Sequence, residues 1–364
     1  MMVAFTENDH RFMSQALQLA ERGFNTTMPN PRVGCVIVKD GVVIGSGWTQ
    51  PAGQNHAEIQ ALNACVADPA GATAYVTLEP CSHFGRTPPC ADALLKAGLR
   101  RVVAAMQDPN PRVAGQGLQR LQEHGIEVAS GLMEAEARRL NPGFISRMTR
   151  RRPWVTLKIA ASLDGRTALS NGVSQWITGA GARMDVQHQR ARSCAILTGI
   201  GTVLADDPQM TVRALDTGHQ PARVVVDSQL RIPASARILQ GGSTLIACLA
   251  GHEDRAMALR AAGATVLEFP EVDGKVCLTS LMQVLAARDI NEVLVEAGAA
   301  LNGTLLQHGL ADELLLYYAP TLLGNDARGM FALPPLTEMA HRIDLDILGL
   351  DRVGQDIRIR ARPR

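Results

Sequence analysis

Residues 72–81, Ala-Thr-Ala-Tyr-Val-Thr-Leu-Glu-Pro-Cys, form a β-rich apolar run that ends in Pro80-Cys81, and Cys90 follows at the start of a predicted helix. His56-Ala57-Glu58 lies upstream, at the start of another predicted helix. One imidazole and two thiolates are three zinc ligands, and three protein ligands leave a fourth position open for water, as a catalytic zinc requires. The pattern therefore indicates a metal site where one buried strand ends and two helices begin.

Glu58 is placed to move protons at this site. It follows His56 by two residues, so its carboxylate can stand beside the metal without binding it. His-x-Glu with Pro-Cys is typical of zinc nucleobase deaminases, in which zinc makes hydroxide available near neutral pH. We expect Glu58 to carry protons from water to a ring nitrogen and to leaving ammonia.

The spacing of the two cysteines departs from the common deaminase pattern. Eight residues, 82–89, intervene where two are usual. Buried free thiols and a surface histidine are the alternative, and a lone Cys or His would favour it. The complete pattern, with Glu58 and Pro80 in register, favours a metal site. A structural zinc would more often have four protein ligands, and His83 is a candidate for the fourth.

Length and composition indicate a two-domain protein that binds no polyanion. The chain has 364 residues, enough for about two domains of ordinary size. Aromatic residues make up only 4%, which argues against stacking platforms for single-stranded nucleic acid. The net charge of +1 gives no excess of positive charge that would attract DNA or RNA. We therefore expect no nucleic-acid partner.

Cysteine usage and hydropathy indicate a cytoplasmic protein. The seven cysteines are odd in number and widely spread, so no disulfide framework is indicated and a reducing compartment fits. Residues 1–13 lack a basic region followed by an apolar run, and no apolar stretch approaches membrane-spanning length. We expect no signal peptide and no membrane partner.

Strands alternate with helices in both halves, which predicts two α/β domains. The first, 1–146, is predicted as a three-layer domain, and the basic run 147–153 is predicted as a linker. The second, 154–364, is predicted to hold a mostly parallel sheet. In the first domain we predict helices at 8–24, 56–65, 90–97, 117–124 and 134–139, and strands at 33–38, 42–47, 72–78, 102–106 and 126–128. In the second we predict helices at 180–192, 253–262, 279–288 and 301–308, and strands at 154–160, 195–198, 223–227, 244–247, 265–267, 292–296, 314–318, 343–348 and 356–361.

Two glycine turns in the second half are candidate sites for binding a nucleotide. Residues 199–202 follow one predicted strand, and 295–303 read as a strand, a glycine turn and a helix start. Backbone amides at such turns can hold a phosphate. Neither turn is G-x-G-x-x-G, so the spacing alone leaves cofactor binding open.

Seven stretches, covering motifs in both halves, resemble the bacterial family of bifunctional riboflavin biosynthesis deaminase/reductases. The insert Gly85-Arg86-Thr87-Pro88-Pro89-Cys90 is the most specific of these matches and accounts for the long cysteine spacing. The matching stretches are 26–34, 56–58, 77–90, 108–111, 158–166, 174–178 and 203–208.

The resemblance implies two sequential reactions. A cytidine-deaminase-like N-terminal domain would use Zn²⁺ to deaminate 2,5-diamino-6-ribosylamino-4(3H)-pyrimidinone 5′-phosphate. A dihydrofolate-reductase-like C-terminal domain would then use NADPH to reduce the ribosyl group to ribityl. The implied partner is therefore a small pyrimidine ribotide, and we expect a homo-oligomer.

The resemblance also implies residue roles in the first domain. His56, Cys81 and Cys90 would bind zinc, with Glu58 as the proton shuttle. Asn30 would recognise the pyrimidine edge, or it is only a turn residue. His83 and Arg86 would meet the substrate phosphate, although a solvated loop arginine remains the alternative.

In the second domain the resemblance implies cofactor contacts, substrate contacts and two assisting groups. Trp176 has a simpler alternative as a core residue. Lys158 and Asp164 would assist proton delivery during opening of the ribosylamine. The implied cofactor contacts are Ala160, Trp176, Thr202, Asp206, Ser228, Gly298 and Gly303, and the implied substrate contacts are Ser174, Arg190, Met210, Arg213 and Glu296.

Two other functions compete. A nucleoside or tRNA-type zinc deaminase with an inactive C-terminal binding module is opposed by the long cysteine spacing and the near-neutral charge. A zinc-stabilised scaffold without activity leaves Glu58 and the glycine turns unexplained.

Overall fold

The computed structural model describes residues 5–83, 88–111 and 113–364. The chain divides into two compact units, residues 1–151 and 152–364. This boundary lies within the predicted linker 147–153, whose first four residues form the last turn of a helix. Among the described residues, none of the helices has the length and apolar character needed to cross a membrane.

The first unit contains a five-stranded sheet with helices on both faces. Its strand order is β2-β1-β3-β4-β5, with β3, β4 and β5 parallel and β1 antiparallel to both of its neighbours. The elements are α1 (Glu7–Glu21), β1 (Gly34–Lys39), β2 (Val42–Trp48), α2 (Ala57–Asn63), β3 (Thr73–Val76), α3 (Cys90–Lys96), β4 (Arg101–Ala104), α4 (Gln116–Glu123), β5 (Glu127–Ser130), α5 (Glu134–Leu140) and α6 (Pro142–Arg150).

Glycines in β1 and β2 let helices approach the sheet closely from opposite sides. A Cβ at Gly34 would lie 1.9 Å from the Ala16 carbonyl oxygen of α1. A Cβ at Gly47 would lie 2.9 Å from the Ala57 carbonyl oxygen of α2. Gly34 and Gly47 face opposite sides of the sheet, because Gly47 pairs with Cys35 and successive residues alternate. The predicted three-layer arrangement is therefore confirmed.

Asp9 ties α1 to the sheet. Its Oδ1 accepts hydrogen bonds of 2.7 Å from the Tyr75 hydroxyl on β3 and from Arg101 on β4. Its other oxygen completes a capping box with Thr6. Burial alone would raise the pKa of Asp9, but the hydrogen bonds from Thr6, Tyr75 and Arg101 outweigh burial and hold the pKa at about 2.

Replacing Asp9 by Asn is expected to lower the free energy of unfolding of the first unit by about 2 kcal/mol near neutral pH. The folded pKa lies below the ordinary value of 3.8, so this stabilisation is complete above that value and is lost as the pH falls towards 2. Urea denaturation, followed by Trp48 fluorescence with Trp154 and Trp176 replaced by Phe, measures the difference between the two proteins. A difference that stays constant from pH 6 to pH 3 would show that the Asp9 charge contributes nothing.

The second unit is built on a nine-stranded sheet of order β11-β10-β9-β8-β14-β6-β15-β18-β17. Only the β15–β18 and β18–β17 pairs are antiparallel, which confirms the predicted mostly parallel sheet. Its elements are β6 (Trp154–Ser162), β7 (Arg166–Ala168), α7 (Ala180–Ala191), β8 (Ala195–Gly199), α8 (Ile200–Asp206), β9 (Ala222–Val226), β10 (Thr244–Cys248), α9 (Glu253–Ala261), β11 (Thr265–Glu268), β12 (Glu271–Val272), β13 (Lys275–Val276), α10 (Leu278–Ala287), β14 (Glu292–Val295), α11 (Ala299–Gln307), β15 (Glu313–Ala319), β16 (Arg328–Gly329), β17 (Leu345–Val353) and β18 (Asp356–Pro363).

Candidate active sites

Three side chains meet at one edge of the first unit's sheet. His56 is the N-cap of α2, Cys90 is the first residue of α3, and Cys81 follows β3. The Nδ1 of His56 lies 3.3 Å from the Sγ of Cys90 and 3.6 Å from the Sγ of Cys81. All three potential ligand atoms lie within 4.8 Å of one another. We call these residues the His/Cys/Cys cluster.

The spacing of the cluster fits zinc. Tetrahedral zinc holds nitrogen at ~2.1 Å and sulfur at ~2.3 Å, which places such ligand atoms roughly 3.6 Å apart. The hydrogen bond with Cys90 lowers the pKa of Cys81 to about 4, and the same contact raises the pKa of Cys90. Two sulfur atoms that compete for one proton favour the binding of a metal cation, because the cation stabilises both of them as thiolates. The cluster supplies three ligands and leaves a fourth position for water.

Glu58 is buried next to the cluster, with only 4% of its surface exposed. Burial raises the pKa of Glu58 to about 7, and the charge of Cys81 adds to the rise. Interactions with His56 and Cys90 oppose this rise in the pKa only in part. A carboxyl group with a pKa near the working pH can both accept and return a proton.

Glu79 organises the backbone around Cys81, a role that sequence reasoning missed. Its buried carboxylate accepts hydrogen bonds from the backbone amides of Asp108, Gly115 and Gly117, at 3.0, 2.9 and 2.8 Å. Glu79 therefore holds the segment between β4 and α4 against Pro80-Cys81. The available signal was an acidic residue placed directly between a buried strand and a proline.

Three further residues, Asn30, His83 and Arg86, are predicted to contact the substrate at this site. Cys35 pairs with Val76, so the segment that holds Asn30 reaches the edge where β3 ends. Burial raises the pKa of Asp108 to about 6, and an electrostatic interaction with exposed His83 opposes the rise. Arg86 lies outside the described residues. The substrate roles of Asn30, His83 and Arg86 remain predictions.

In the second unit, Glu296 brings together two cations from distant parts of the chain. Its carboxylate accepts two hydrogen bonds from Arg190 of α7, at 2.6 and 3.0 Å, and the Nζ of Lys158 lies 3.8 Å away. Arg190 is buried, and the side chain of Lys158 is 16% exposed. Burial alone would raise the pKa of Glu296, but the charges of Arg190 and Lys158 outweigh burial and hold the pKa at about 2. Burial lowers the pKa of Lys158. We call these three residues the buried ionic cluster.

Two more predicted substrate contacts lie around this cluster. The Met210 sulfur lies 3.8 Å from the Nη2 of Arg190. The charge of exposed Arg213 makes a smaller contribution to the low pKa of Glu296 than the charges of Arg190 and Lys158 do. The guanidinium of Arg190 is already engaged by Glu296 and by the Thr211 carbonyl oxygen at 3.0 Å. Arg190 is therefore largely occupied by partners within the protein, and the contact of Arg213 with a phosphate remains a prediction.

Predicted cofactor contacts lie along the carboxyl ends of four neighbouring strands. Ser228 follows β9, Thr202 and Asp206 lie on the helix after β8, and Gly298 caps the helix after β14. Ala160 lies on β6. Ligands of open α/β sheets bind outside the carboxyl ends of the strands, and four neighbouring strands span about 14 Å. The line of residues therefore lies where ligands bind in this class of fold.

The loop between β7 and α7 carries two further predicted contacts. Ser174 is half-buried, whereas Trp176 is 71% exposed, with the Arg183 guanidinium 4.9 Å from its ring centroid. The exposure of Trp176 excludes the alternative that it is a core residue. Its proposed contact with the cofactor remains a prediction.

Comparisons with known proteins agree with both sites. Residues 6–106 match the family model of the cytidine and deoxycytidylate deaminase zinc-binding region, and residues 153–359 match that of the RibD C-terminal domain. The fold and the sites thus define a zinc deaminase region joined to a dihydrofolate-reductase-like domain. The chain belongs to the RibD family of riboflavin biosynthesis proteins.

Relatives and solved structures cover the whole chain. The riboflavin biosynthesis protein RibD of Escherichia coli is 51% identical, over 96% of this chain and 98% of that protein. RibD of Haemophilus influenzae is 45% identical over the full length of both. A structure of Acinetobacter baumannii RibD superposes with a TM-score of 0.91 at 47% identity, covering 98% of this chain and 99% of that chain. A Thermotoga maritima diaminohydroxyphosphoribosylaminopyrimidine deaminase/5-amino-6-(5-phosphoribosylamino)uracil reductase gives a TM-score of 0.85 at 33% identity over the same shares of the two chains.

Proposed function

We infer that the chain is a bifunctional enzyme of riboflavin biosynthesis that deaminates a diaminopyrimidine ribotide and then reduces its ribosyl side chain. The substrate is 2,5-diamino-6-ribosylamino-4(3H)-pyrimidinone 5′-phosphate, and the product is 5-amino-6-(5-phospho-D-ribitylamino)uracil. The observation that carries this proposal is the His/Cys/Cys cluster with buried Glu58 beside it, in a chain whose second unit matches the RibD C-terminal domain.

In the first unit, water adds to the ring carbon, the bond to the exocyclic amine breaks, and ammonia leaves. Zinc, when bound, supplies activated water near neutral pH. Glu58 would take one proton from the attacking water and deliver it to the ring nitrogen. It would then take the second proton from the hydroxyl group so formed and deliver it to the departing amine, which leaves as ammonia. Its raised pKa suits both directions of transfer.

In the second unit, NADPH supplies a hydride to the sugar carbon that ring opening exposes. The residues along the carboxyl ends of β9, β8, β14 and β6 would bind and orient the cofactor. Arg213 would meet the substrate phosphate as a charge-assisted donor. Reduction also needs a proton, which the partly buried ammonium of Lys158, 3.8 Å from Glu296, would supply.

Replacing Lys158 by Ala is expected to lower reductase turnover by about 100-fold at saturating NADPH, because a positioned acid contributes at least this much. Binding of NADPH should change little, since the cofactor contacts lie elsewhere on the edge. NADPH oxidation with the deaminated ribotide measures the first effect, and fluorescence titration measures the second. Unchanged turnover would remove the role of Lys158 in proton delivery.

A homo-oligomer is part of this proposal. Strand β17 ends the nine-stranded sheet, and it exposes Ile347 and Leu350, at 59% and 67% of their surfaces. An outer strand with exposed apolar side chains favours pairing with a second copy. Sedimentation velocity of the purified chain decides between monomer and oligomer.

A split assay tests the proposed function. Ammonia release from the diaminopyrimidine ribotide is followed first without NADPH, and NADPH oxidation is followed after its addition. We expect ammonia first and NADPH oxidation only afterwards. Zinc-loaded protein that releases no ammonia from this substrate would favour a nucleoside deaminase, and ammonia release without NADPH oxidation would favour an inactive second unit.

A further inference from the structure

The carboxylate of Asp164, at the turn between β6 and β7, binds the backbone of a distant segment. Its two oxygens accept hydrogen bonds from the Leu323 amide, at 3.1 and 3.2 Å, and one accepts from the Gly324 amide at 2.8 Å. The Ser162 hydroxyl donates a further hydrogen bond of 2.5 Å. Asp164 thus fixes the start of the segment 323–332.

The other end of this segment is fixed to α11, the helix that begins at the glycine turn. The Nδ2 of Asn302 donates to the carbonyl oxygens of Ala297 and Met330, at 3.2 and 3.4 Å. The Ala332 amide donates to the Ala299 carbonyl oxygen at 2.9 Å. Asn302 is 1% exposed, so these bonds form inside the protein.

Gly303 permits this attachment. It is buried in α11, and a Cβ there would lie 2.2 Å from the Ala332 carbonyl oxygen. The close approach of helix and segment is sufficient reason for a glycine at this position. Its predicted contact with cofactor phosphates remains a prediction.

The middle of the segment pairs with the strand that follows Asp164. Arg328 of β16 pairs with Ala168 of β7. The Arg166 guanidinium donates to the Ala327 carbonyl oxygen at 3.2 Å, and the Thr167 hydroxyl donates to Gly329 at 3.2 Å. The segment is therefore held at its start, middle and end.

We propose that Asp164 and Asn302 are positioning residues that hold the glycine turn 297–298 of the cofactor site through the segment 323–332. Asp164 anchors the segment to the β6–β7 turn, and Asn302 joins the segment to the carbonyl of Ala297, one residue before the N-cap of α11. This proposal deepens the proposed function, because it rests on the glycine turn being part of the NADPH site.

This assignment replaces proton delivery as the role of Asp164. The exposed carboxylate accepts hydrogen bonds from two backbone amides and one hydroxyl, and these stabilise its ionised form. An ionised carboxylate that accepts several hydrogen bonds is a poor proton donor. The same donors make it an effective anchor for the backbone.

Replacing Asp164 by Asn tests the proposal. The amide group loses the charge and one acceptor, so we expect the Kd for NADPH to rise about tenfold. The reductase kcat at saturating NADPH and the shape of its pH profile should not change. Asp326→Asn is the matched control, because Asp326 is exposed on the same segment and should leave all three quantities unchanged. Asn302→Ala should raise the same Kd.

Hydrogen–deuterium exchange provides a readout that does not need NADPH. In Asp164→Asn, exchange should accelerate at residues 323–324 and also at residues 297–303, and Asp326→Asn should accelerate neither. Faster exchange at 323–324 with unchanged exchange at 297–303 would overturn the proposal. So would a lowered kcat with a lost limb in the pH profile and an unchanged Kd, because that result assigns proton delivery to Asp164. A third outcome is faster exchange at both 323–324 and 297–303 in a protein that does not bind NADPH. That result would contradict the proposed function, but it would still support the positioning of the glycine turn by Asp164.

Discussion

Replacing Glu58 by Gln is expected to slow ammonia release from the diaminopyrimidine ribotide by about 10³-fold, within the range that general acid–base groups contribute. Gln has nearly the same shape as Glu but cannot take a proton from water or return it to the amine. Glu58 is buried beside the metal-binding side chains, so bulk water has poor access to replace it. A stopped ammonia assay on purified protein measures the effect.

Two controls make this result specific to proton transfer. Zinc content per chain should equal that of the unmodified protein, because Glu58 is not one of the three cluster residues. NADPH oxidation with the already deaminated ribotide should also be unchanged, because it belongs to the second unit. Ammonia release within threefold of the unmodified rate, with zinc bound, would exclude Glu58 as the proton carrier.

Replacing Glu296 by Gln is expected to destabilise the second unit by about 3–5 kcal/mol, the cost of leaving buried charge unpaired. The substitution removes the only carboxylate that contacts Arg190 and Lys158 among the described residues, and Arg190 is 8% exposed. The rate of NADPH oxidation should also fall, because Lys158 loses its counter-ion. Chemical denaturation of the second unit measures the change in free energy.

Glu313→Gln is the matched control for this prediction. Glu313 lies on β15 of the same sheet, and its side chain is 11% exposed, close to the 10% of Glu296. Its partner Arg360 differs from Arg190, because the Arg360 side chain is 47% exposed. Solvent can replace a partner there, so we expect a loss of about 1 kcal/mol or less. Equal losses in the two variants would show that burial of the arginine partner does not determine the contribution of the ion pair.

The cluster in the first unit could be predicted from the sequence because its residues come from a complete and specific motif. His56 and Cys90 both start helices, and Cys81 follows a strand that apolar composition marks as buried. The role of Glu79 could not be predicted in this way. Its partners are backbone amides between residues 108 and 118, and backbone groups leave no mark in the sequence.

The alternation of strands and helices predicted both sheets, but it missed elements that are stabilised by tertiary contacts. The last turn of helix α6, residues 147–150, lies in a basic stretch that composition assigns to a linker. Strands β7 and β16 are too short to show periodicity. Such elements form because a neighbouring surface completes their hydrogen bonds.

The contacts within the buried ionic cluster could not be predicted from the sequence either. The resemblance marks Lys158, Arg190 and Glu296 as functional, but they lie on β6, α7 and the end of β14. Nothing in their spacing indicates that Arg190 binds Glu296 directly. Only the sheet order, which places β14 beside β6, brings the three charges together.

X-ray absorption at the zinc edge of the purified protein tests the central claim most directly. We predict one zinc per chain with two sulfur ligands at about 2.3 Å, one imidazole nitrogen at about 2.0–2.1 Å, and one further light atom from water. The same spectrum should be obtained from Glu58→Gln. A site with three or four sulfurs, two imidazoles, or no zinc would contradict a catalytic centre built from His56, Cys81 and Cys90.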